Sequence, residues 1–180
     1  MQHNKKGVTL LEILIAVLLM SVIFLAVSSL YLAARRFYIT ARDKAVISSE
    51  AQYAIQHIYK YAMQAMGDKN TAPFTVTANQ LDIRIYTGAA DPITSTAYGN
   101  SSNYTSYSYT YNDTDKKLYF QEGSGSPQDL MEKVSVTGLT LNKIESGTVT
   151  TAFTGSITAS YNGQSQIFYF SCYPRFASFH

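Results

Sequence analysis

The sequence predicts an α+β protein in which one long N-terminal helix packs on an antiparallel β-sheet. Three observations lead to this prediction. An apolar segment without a single charge runs from Ile13 to Ala34, and a helical apolar stripe follows it to about residue 66. The remainder alternates apolar and polar residues in short runs separated by turn sequences. A chain of 180 residues provides one globular domain and an N-terminal appendage.

The apolar segment is long enough to cross a membrane. A helix over Ile13–Ala34 rises about 33 Å, which matches a hydrocarbon core of about 30 Å, and no glycine or proline interrupts it. Lys5 and Lys6 precede the segment and predict a cytoplasmic N-terminus, with the rest of the chain outside. The competing interpretation is a secretory signal peptide cut near Ala26–Ser28, but the apolar region of such a peptide is about 7–15 residues long.

A second pattern lies at the start of this segment. Gly7–Glu12 (GVTLLE) follows a short basic leader and precedes the apolar helix, and in this arrangement it resembles the processing motif of type IV prepilins. The resemblance implies that a prepilin peptidase cuts after Gly7 and methylates the new amine of Val8. It also implies that Glu12 contacts the N-terminal amine of a neighbouring subunit. A carboxylate in an apolar span needs a partner of this kind, because an unpaired charge is costly in hydrocarbon.

The resemblance carries further expectations about partners and location. The partners would be other pilin or pseudopilin subunits, the prepilin peptidase and an inner-membrane assembly platform. The protein would be stored in the inner membrane as a single-pass subunit and then enter a filament at the cell surface or in the periplasm. Two features depart from the usual pattern of the family: Val8 stands after the cut, where phenylalanine or methionine is usual, and no proline precedes Pro73. The lack of a proline in the apolar span favours a minor pilin or pseudopilin over a major pilin.

The predicted helix continues beyond the membrane. Ile47, Ala51, Ala54, Ile58, Tyr61 and Ala65 recur at helical spacing, and Gly67 is expected to end a helix that begins at about Val8. His57 lies beside the stripe and is interpreted as a surface or boundary histidine rather than a ligand or base. The segment 54–67 resembles the helix end of PilW-type minor pilins and of J-type pseudopilins of type II secretion, although Lys60–Tyr61 stand where those proteins have Arg-Asp.

Seven strands are expected after Pro73, of which the last two are joined by Asn162–Gly163, a strong hairpin signal. They cover 74–77, 81–85, 104–111, 117–121, 134–141, 154–161 and 166–173. The chain thus divides into a leader (1–7), a transmembrane or filament-core helix (8–34), an amphipathic continuation (35–67) and a β-rich domain (68–180).

Few residues of the outer domain suggest chemistry. Tyr107, Tyr109 and Tyr111 share one strand face, which is interpreted as core rather than as a platform for glycans or bases. Residues 112–116 contain carboxylates that could bind calcium, but the sequence is more typical of a solvated hairpin turn. Cys172 is expected to be a small buried hydrophobe rather than a nucleophile.

Composition excludes several classes of function. A net charge of +2, from 14 basic and 12 acidic residues, argues against nucleic acid as the main partner. The sequence contains no nucleophile elbow, no P-loop and no spaced metal ligands, so we expect no enzyme activity, no cofactor and no metal. The predicted function is that of a filament subunit. The alternative is a membrane-anchored, adhesin-like binding module that does not polymerise, and a secreted enzyme ranks last.

Overall fold

A computed structural model describes residues 9–67, 72–88, 103–146 and 149–173. The chain divides into two compact units, residues 1–42 and residues 43–180. The described residues form one helix followed by eight strands in two antiparallel sheets, which confirms the predicted α+β class and is consistent with a pilin-like architecture.

Helix α1 spans Leu10–Ala62. The segment contains neither proline nor glycine, so no residue in it breaks the helical hydrogen bonds. Glu12 lies in its first turn and Lys60 in its last, where each charge complements the helix dipole. The predicted start at Val8 lies outside the described residues.

The helix ends earlier than the sequence predicts, and Gly67 is not its terminating residue. After Ala62 the chain tightens into a turn, and Ala65 then forms an isolated antiparallel bridge with Ile85. The Met66 amide donates to the Arg84 carbonyl at 3.0 Å. Backbone groups that a longer helix would have bonded internally are therefore bonded to a strand, which is why the helix stops at Ala62.

The first sheet has five strands in the order β1-β2-β3-β4-β5, each antiparallel to its neighbour. The strands are β1 (Phe74–Val76), β2 (Gln80–Tyr86), β3 (Tyr104–Asn112), β4 (Lys117–Glu122) and β5 (Gln128–Asp129). Four of them match predicted strands. The sequence does not predict β5, because two polar residues carry no alternating pattern.

The second sheet has three antiparallel strands in the order β6-β7-β8. The strands are β6 (Ser135–Ser146), β7 (Val149–Tyr161) and β8 (Gln164–Cys172), and all three were predicted with shorter or shifted bounds. Asn162 and Gly163 both have positive φ, at 49° and 78°, as a two-residue type I′ hairpin turn requires.

The stripe on α1 packs against both sheets. Ile47, Ala51, Ala54, Ile58 and Ala62 are fully or almost fully buried, and they join one cluster with side chains from both sheets. The small alanines leave the space between the layers to the large side chains that the sheets contribute to the cluster, while the two isoleucines extend into it from the helix. Tyr61, which the sequence places on the stripe, lies at its margin and is only partly buried.

Gly155 in β7 is required by packing. A side-chain carbon at this position would lie 2.7 Å from Cζ of Phe170 and 2.7 Å from the carbonyl oxygen of Thr140. Both distances are far below van der Waals contact. The ring of Phe170 on β8 therefore occupies the space that any other residue at this position would need.

A tyrosine of α1 bonds to the backbone of β8. The amide of Ser171 donates to the Tyr59 hydroxyl at 3.2 Å, so this amide is not used in pairing with β7. On the same strand Phe168, Phe170 and Cys172 face inwards, whereas Ile167 and Tyr169 are exposed, as the alternation predicts.

The location of the core predicts how a shortened chain behaves. Every residue of the buried hydrophobic cluster lies at or after Ile47. A chain of residues 35–180 should therefore fold and remain monomeric in plain buffer, whereas the full chain should require detergent. Size-exclusion chromatography with light scattering measures both. A full chain that stays monodisperse without detergent, or a shortened chain that aggregates, would contradict this expectation.

Candidate functional site

The first turn of α1 is closed by a reciprocal pair of side chains. The amide of Glu12 donates to Oγ1 of Thr9 at 3.3 Å, while the amide of Thr9 donates to Oε2 of Glu12 at 3.0 Å. The Thr9 hydroxyl also lies 3.2 Å from the same carboxylate oxygen. This is a capping box, in which residues at the N-cap and at the third helical position satisfy each other's backbone amides.

The capping box gives Glu12 a defined place at the start of the apolar helix. Its carboxylate is turned back towards the N-terminus and accepts from the backbone of Thr9, the residue after Val8. The sequence analysis did not assign a role to Thr9. The Thr-x-x-Glu spacing in front of an apolar run is a recognised capping signature, and it could have identified this residue.

The side chains from Ile13 to Ala34 present an apolar surface on every side of the helix. From Leu10 to Leu32 every residue is exposed, and Phe24 keeps 76% of its surface open. Within the described residues, α1 is the helix long and apolar enough to cross a membrane by length and composition. A helix that is apolar all round and has no protein around it requires a non-aqueous environment, either lipid or other apolar helices.

Two serines of this surface bond to the helix backbone. The hydroxyl of Ser21 donates to the carbonyl of Leu18 at 2.7 Å, and that of Ser29 donates to the carbonyl of Ala26 at 2.8 Å. Serine side chains bonded in this way can enter hydrocarbon without leaving an unpaired donor. The surface is therefore compatible with lipid despite its serines.

The residues predicted from the motif fall at the edge of the described chain. Gly7 and Val8 lie outside the described residues, so their roles as cleavage and methylation sites stay predictions. Glu12 is described, and its contact with a neighbouring subunit also stays a prediction. The structure shows that, within a single chain, the Glu12 carboxylate accepts a hydrogen bond from the Thr9 amide.

The tyrosine face of β3 belongs to the core, as predicted. Tyr107, Tyr109 and Tyr111 are buried, and the Tyr107 ring stacks on Tyr61 with ring centroids 4.4 Å apart. Their rings are consequently part of the core cluster and do not form an exposed stacking platform. His57 packs edge-on against Phe120 with centroids 4.5 Å apart.

His57 is a partly buried boundary residue, as expected from its place beside the stripe. The hydroxyl of Tyr109 lies 3.1 Å from the His57 carbonyl and 3.0 Å from its Nδ1. One hydroxyl hydrogen cannot serve both acceptors, so the pair is satisfied when Tyr109 donates to the carbonyl and Nδ1–H donates to Tyr109. Burial, and to a lesser extent the charge of Lys60, lowers the pKa of His57 from its ordinary value, which favours this neutral form.

The hairpin between β3 and β4 does not form a metal cluster. Among the described residues no group of three or more histidine, cysteine or acidic side chains is arranged to hold a metal ion. Asp113 instead accepts from Lys116 at 2.5 Å and from Tyr111 at 2.7 Å. These two partners hold the pKa of the Asp113 carboxyl below its ordinary value, with Lys116 the larger cause.

Cys172 is a buried thiol at the end of β8. Its side chain lies within 3.9 Å of the Met63 sulfur, and burial raises its pKa to about 11. Because only the thiolate is nucleophilic, a thiol in these surroundings is inert at neutral pH. The expectation that Cys172 acts as a small core hydrophobe agrees with this position.

The position of Cys172 predicts slow alkylation in the native state. At pH 7.5 its thiolate fraction should be at least about a hundredfold lower than that of an exposed cysteine with a pKa near 8.5. Iodoacetamide should accordingly label the folded chain slowly and the chain in 6 M guanidinium rapidly, as followed by intact mass. Equal labelling rates in the two states would show that the thiol is accessible.

Comparison with known proteins identifies the N-terminal segment. Residues 2–28 match the family model described as the prokaryotic N-terminal methylation motif. The match includes Gly7, Val8, the Thr9–Glu12 capping box and part of the apolar surface. Neither the search of curated proteins nor the search of solved structures gives a match. The N-terminal segment thus carries a prepilin-type methylation motif, a kind of motif that implies processing by a prepilin peptidase.

Proposed function

We propose that the protein is a minor pilin or pseudopilin, a structural and non-enzymatic subunit of a type IV pilus or a type II secretion filament. The observation that carries the proposal is the exposed apolar helix surface directly behind a methylation motif. This surface suits lipid while the subunit is stored in the membrane and suits neighbouring helices once the subunit is in a filament, because both surroundings are apolar.

Glu12 is the residue that distinguishes a filament subunit from a simple anchor. A carboxylate at the end of an apolar span is costly in lipid, so a helix that only anchors a domain gains nothing from it. The Thr9–Glu12 bonds satisfy the carboxylate within a single chain and support a stored state in the membrane. In a filament, the methylated amine of a neighbouring subunit would give the carboxylate an opposite charge, which an amide cannot supply.

Membrane insertion follows from the same segment. We place the protein in the inner membrane as a single-pass subunit with Lys5 and Lys6 in the cytoplasm and residues 43–180 outside. Its partners would be the prepilin peptidase, an assembly platform in that membrane and other pilin or pseudopilin subunits. The uncharged side chains from Leu14 to Ala34 offer those subunits an apolar packing surface without a competing charge.

The proposal predicts a defined mature N-terminus. Top-down mass spectrometry of the chain from native membranes should show the loss of residues 1–7 and one methyl group on the amine of Val8. Gly7→Leu should abolish the cleavage, because a side chain at this position prevents close approach of the peptidase to the backbone. A chain that keeps Met1, or one cut near Ser28, would instead support an anchored binding module or a secreted protein.

The role of Glu12 can be separated from that of the capping box. Glu12→Gln preserves the box, since glutamine can take the same position, but it removes the charge. Glu12→Lys places a cation beside the amine. We expect sheared filament fractions to contain less of the glutamine variant and at least about tenfold less of the lysine variant, because an uncompensated charge in a low dielectric costs several kcal/mol.

Thr9→Ala provides the matched control, because it breaks the capping box and keeps the carboxylate. Its recovery in filaments should stay close to wild type, and all three variants should insert into membranes and lose residues 1–7. Recovery of Glu12→Lys equal to wild type would show that Glu12 is not an assembly contact. A loss with Thr9→Ala as large as that with Glu12→Lys would assign the effect to helix capping.

A further inference from the structure

A groove of about 670 Å³ lies beside the hairpin that joins β3 and β4. This volume falls within the range of about 300–1,000 Å³ that is usual for small-molecule sites. The residues that line it come from the β1–β2 turn, from β3, from the hairpin and from β4. They are Asn79, Thr110, Tyr111, Asn112, Asp113, Asp115, Tyr119, Gln121 and Pro127.

The polar side chains of the groove are held by bonds to the framework. The hydroxyl of Tyr119 donates to Oδ2 of Asp115 at 2.7 Å, and Nε2 of Gln121 donates to the carbonyl of Gly125 at 2.9 Å. Oδ1 of Asn112 accepts from the amide of Thr114 at 2.9 Å. Side chains fixed in this way lose little conformational entropy when a ligand binds, so the groove is organised in advance.

Each of these side chains keeps capacity for a further hydrogen bond. An ionised aspartate has two oxygens with about four acceptor positions, and the amides of Asn112 and Gln121 each combine donors with an acceptor. The Tyr119 hydroxyl donates to Asp115 and can still accept. A ligand that fits this set must itself combine donors and acceptors, as a hydroxyl group does.

The charges around the groove are compensated locally. Lys116 pairs with Asp113, and Lys117 pairs with Asp129 on the neighbouring strand β5. Asp115 lies near Lys117, whose pKa is raised chiefly by its bond to Asp129 and to a smaller degree by Asp115. The groove therefore offers no concentrated field for an anion or a cation, and a neutral ligand suits it better.

Tyr119 provides an apolar surface among these polar groups. It lies on the side of β4 opposite the buried Leu118 and Phe120, and it is partly exposed. Pro127 adds an exposed apolar ring at the rim. A pyranose sugar has the complementary chemistry, since its C–H groups pack on an aromatic ring while its hydroxyls bond to carboxylates and amides.

We propose that this groove binds a neutral sugar, with Tyr119 as the stacking surface and with Asp115, Asn112 and Gln121 as partners of the sugar hydroxyls. The site is independent of filament assembly, because all of its residues lie in the second unit, at a distance in sequence from the methylation motif. Sugars of the cell's own envelope and sugars on another surface present the same hydroxyls. The experiment therefore uses separate probes to represent the two sources.

The test uses the full chain in a zwitterionic detergent without a sugar headgroup, because a maltoside detergent would compete. Saturation-transfer NMR would be recorded with chitotetraose, to represent an envelope glycan, and with cellotetraose and lactose, to represent other neutral glycans. At least one of the three should receive saturation on its ring protons, and titration gives the dissociation constant.

Four variants locate the binding. Tyr119→Ala should weaken it about tenfold, which corresponds to the loss of one aromatic stacking contact, whereas Tyr119→Phe should keep most of the affinity. Tyr169→Ala is the control, because this tyrosine is 79% exposed on the other sheet and does not line the groove. Asn79→Ala, at an exposed turn, should weaken binding without affecting the core.

The result can overturn the proposal in three ways. The first is the absence of saturation transfer to all three probes at millimolar concentration. The second is binding that survives both Tyr119→Ala and Asn79→Ala in folded chains, as judged by circular dichroism. Loss of binding with Tyr169→Ala alone would place the sugar on the other sheet and would likewise contradict it.

Discussion

The structure depends on the contact between one face of α1 and the two sheets. Three of the residues that make this contact, Ala51, Ala54 and Ala62, are small and fully buried. In a core as dense as an organic crystal, a larger residue at any of them would push the sheets away. The positions of β3 and β4 relative to the helix, and with them the aromatic packing around His57, depend on this contact.

From Ile13 to Ala34 the same helix meets a different requirement. The side chains of this segment have no protein core to enter, and their apolar character on all sides reflects the solvent for which they are suited. The polar groups of Thr9, Glu12, Ser21 and Ser29 are bonded within the helix or its cap. One uninterrupted helix thus suits an apolar environment in its first part and packs against the two sheets in its second part. Only the pattern of side chains changes between the two parts.

The sequence predicts the parts of this structure in which local pattern and tertiary packing agree. The stripe from Ile47, the inward tyrosines of β3 and the turn at Asn162–Gly163 are examples, because spacing or backbone sterics alone determine them. The early end of α1 could not be predicted, since it results from pairing of Ala65 with Ile85, which is distant in sequence. The groove beside Tyr119 was missed for a related reason, because its residues converge only when β2, β3 and β4 align. Thr9 was recognisable from its spacing to Glu12 and was overlooked.

The bond between Tyr59 and Ser171 has a consequence for behaviour at high concentration. Strand β8 ends the sheet order β6-β7-β8, and a strand in such a position can recruit a strand from another molecule through its outward amides and carbonyls. The exposed Ile167 and Tyr169 would strengthen such pairing. Because the outward amide of Ser171 already donates to the Tyr59 hydroxyl, a strand from another molecule could not form a hydrogen bond to this amide. The tyrosine thus acts as a gatekeeper against edge-to-edge aggregation.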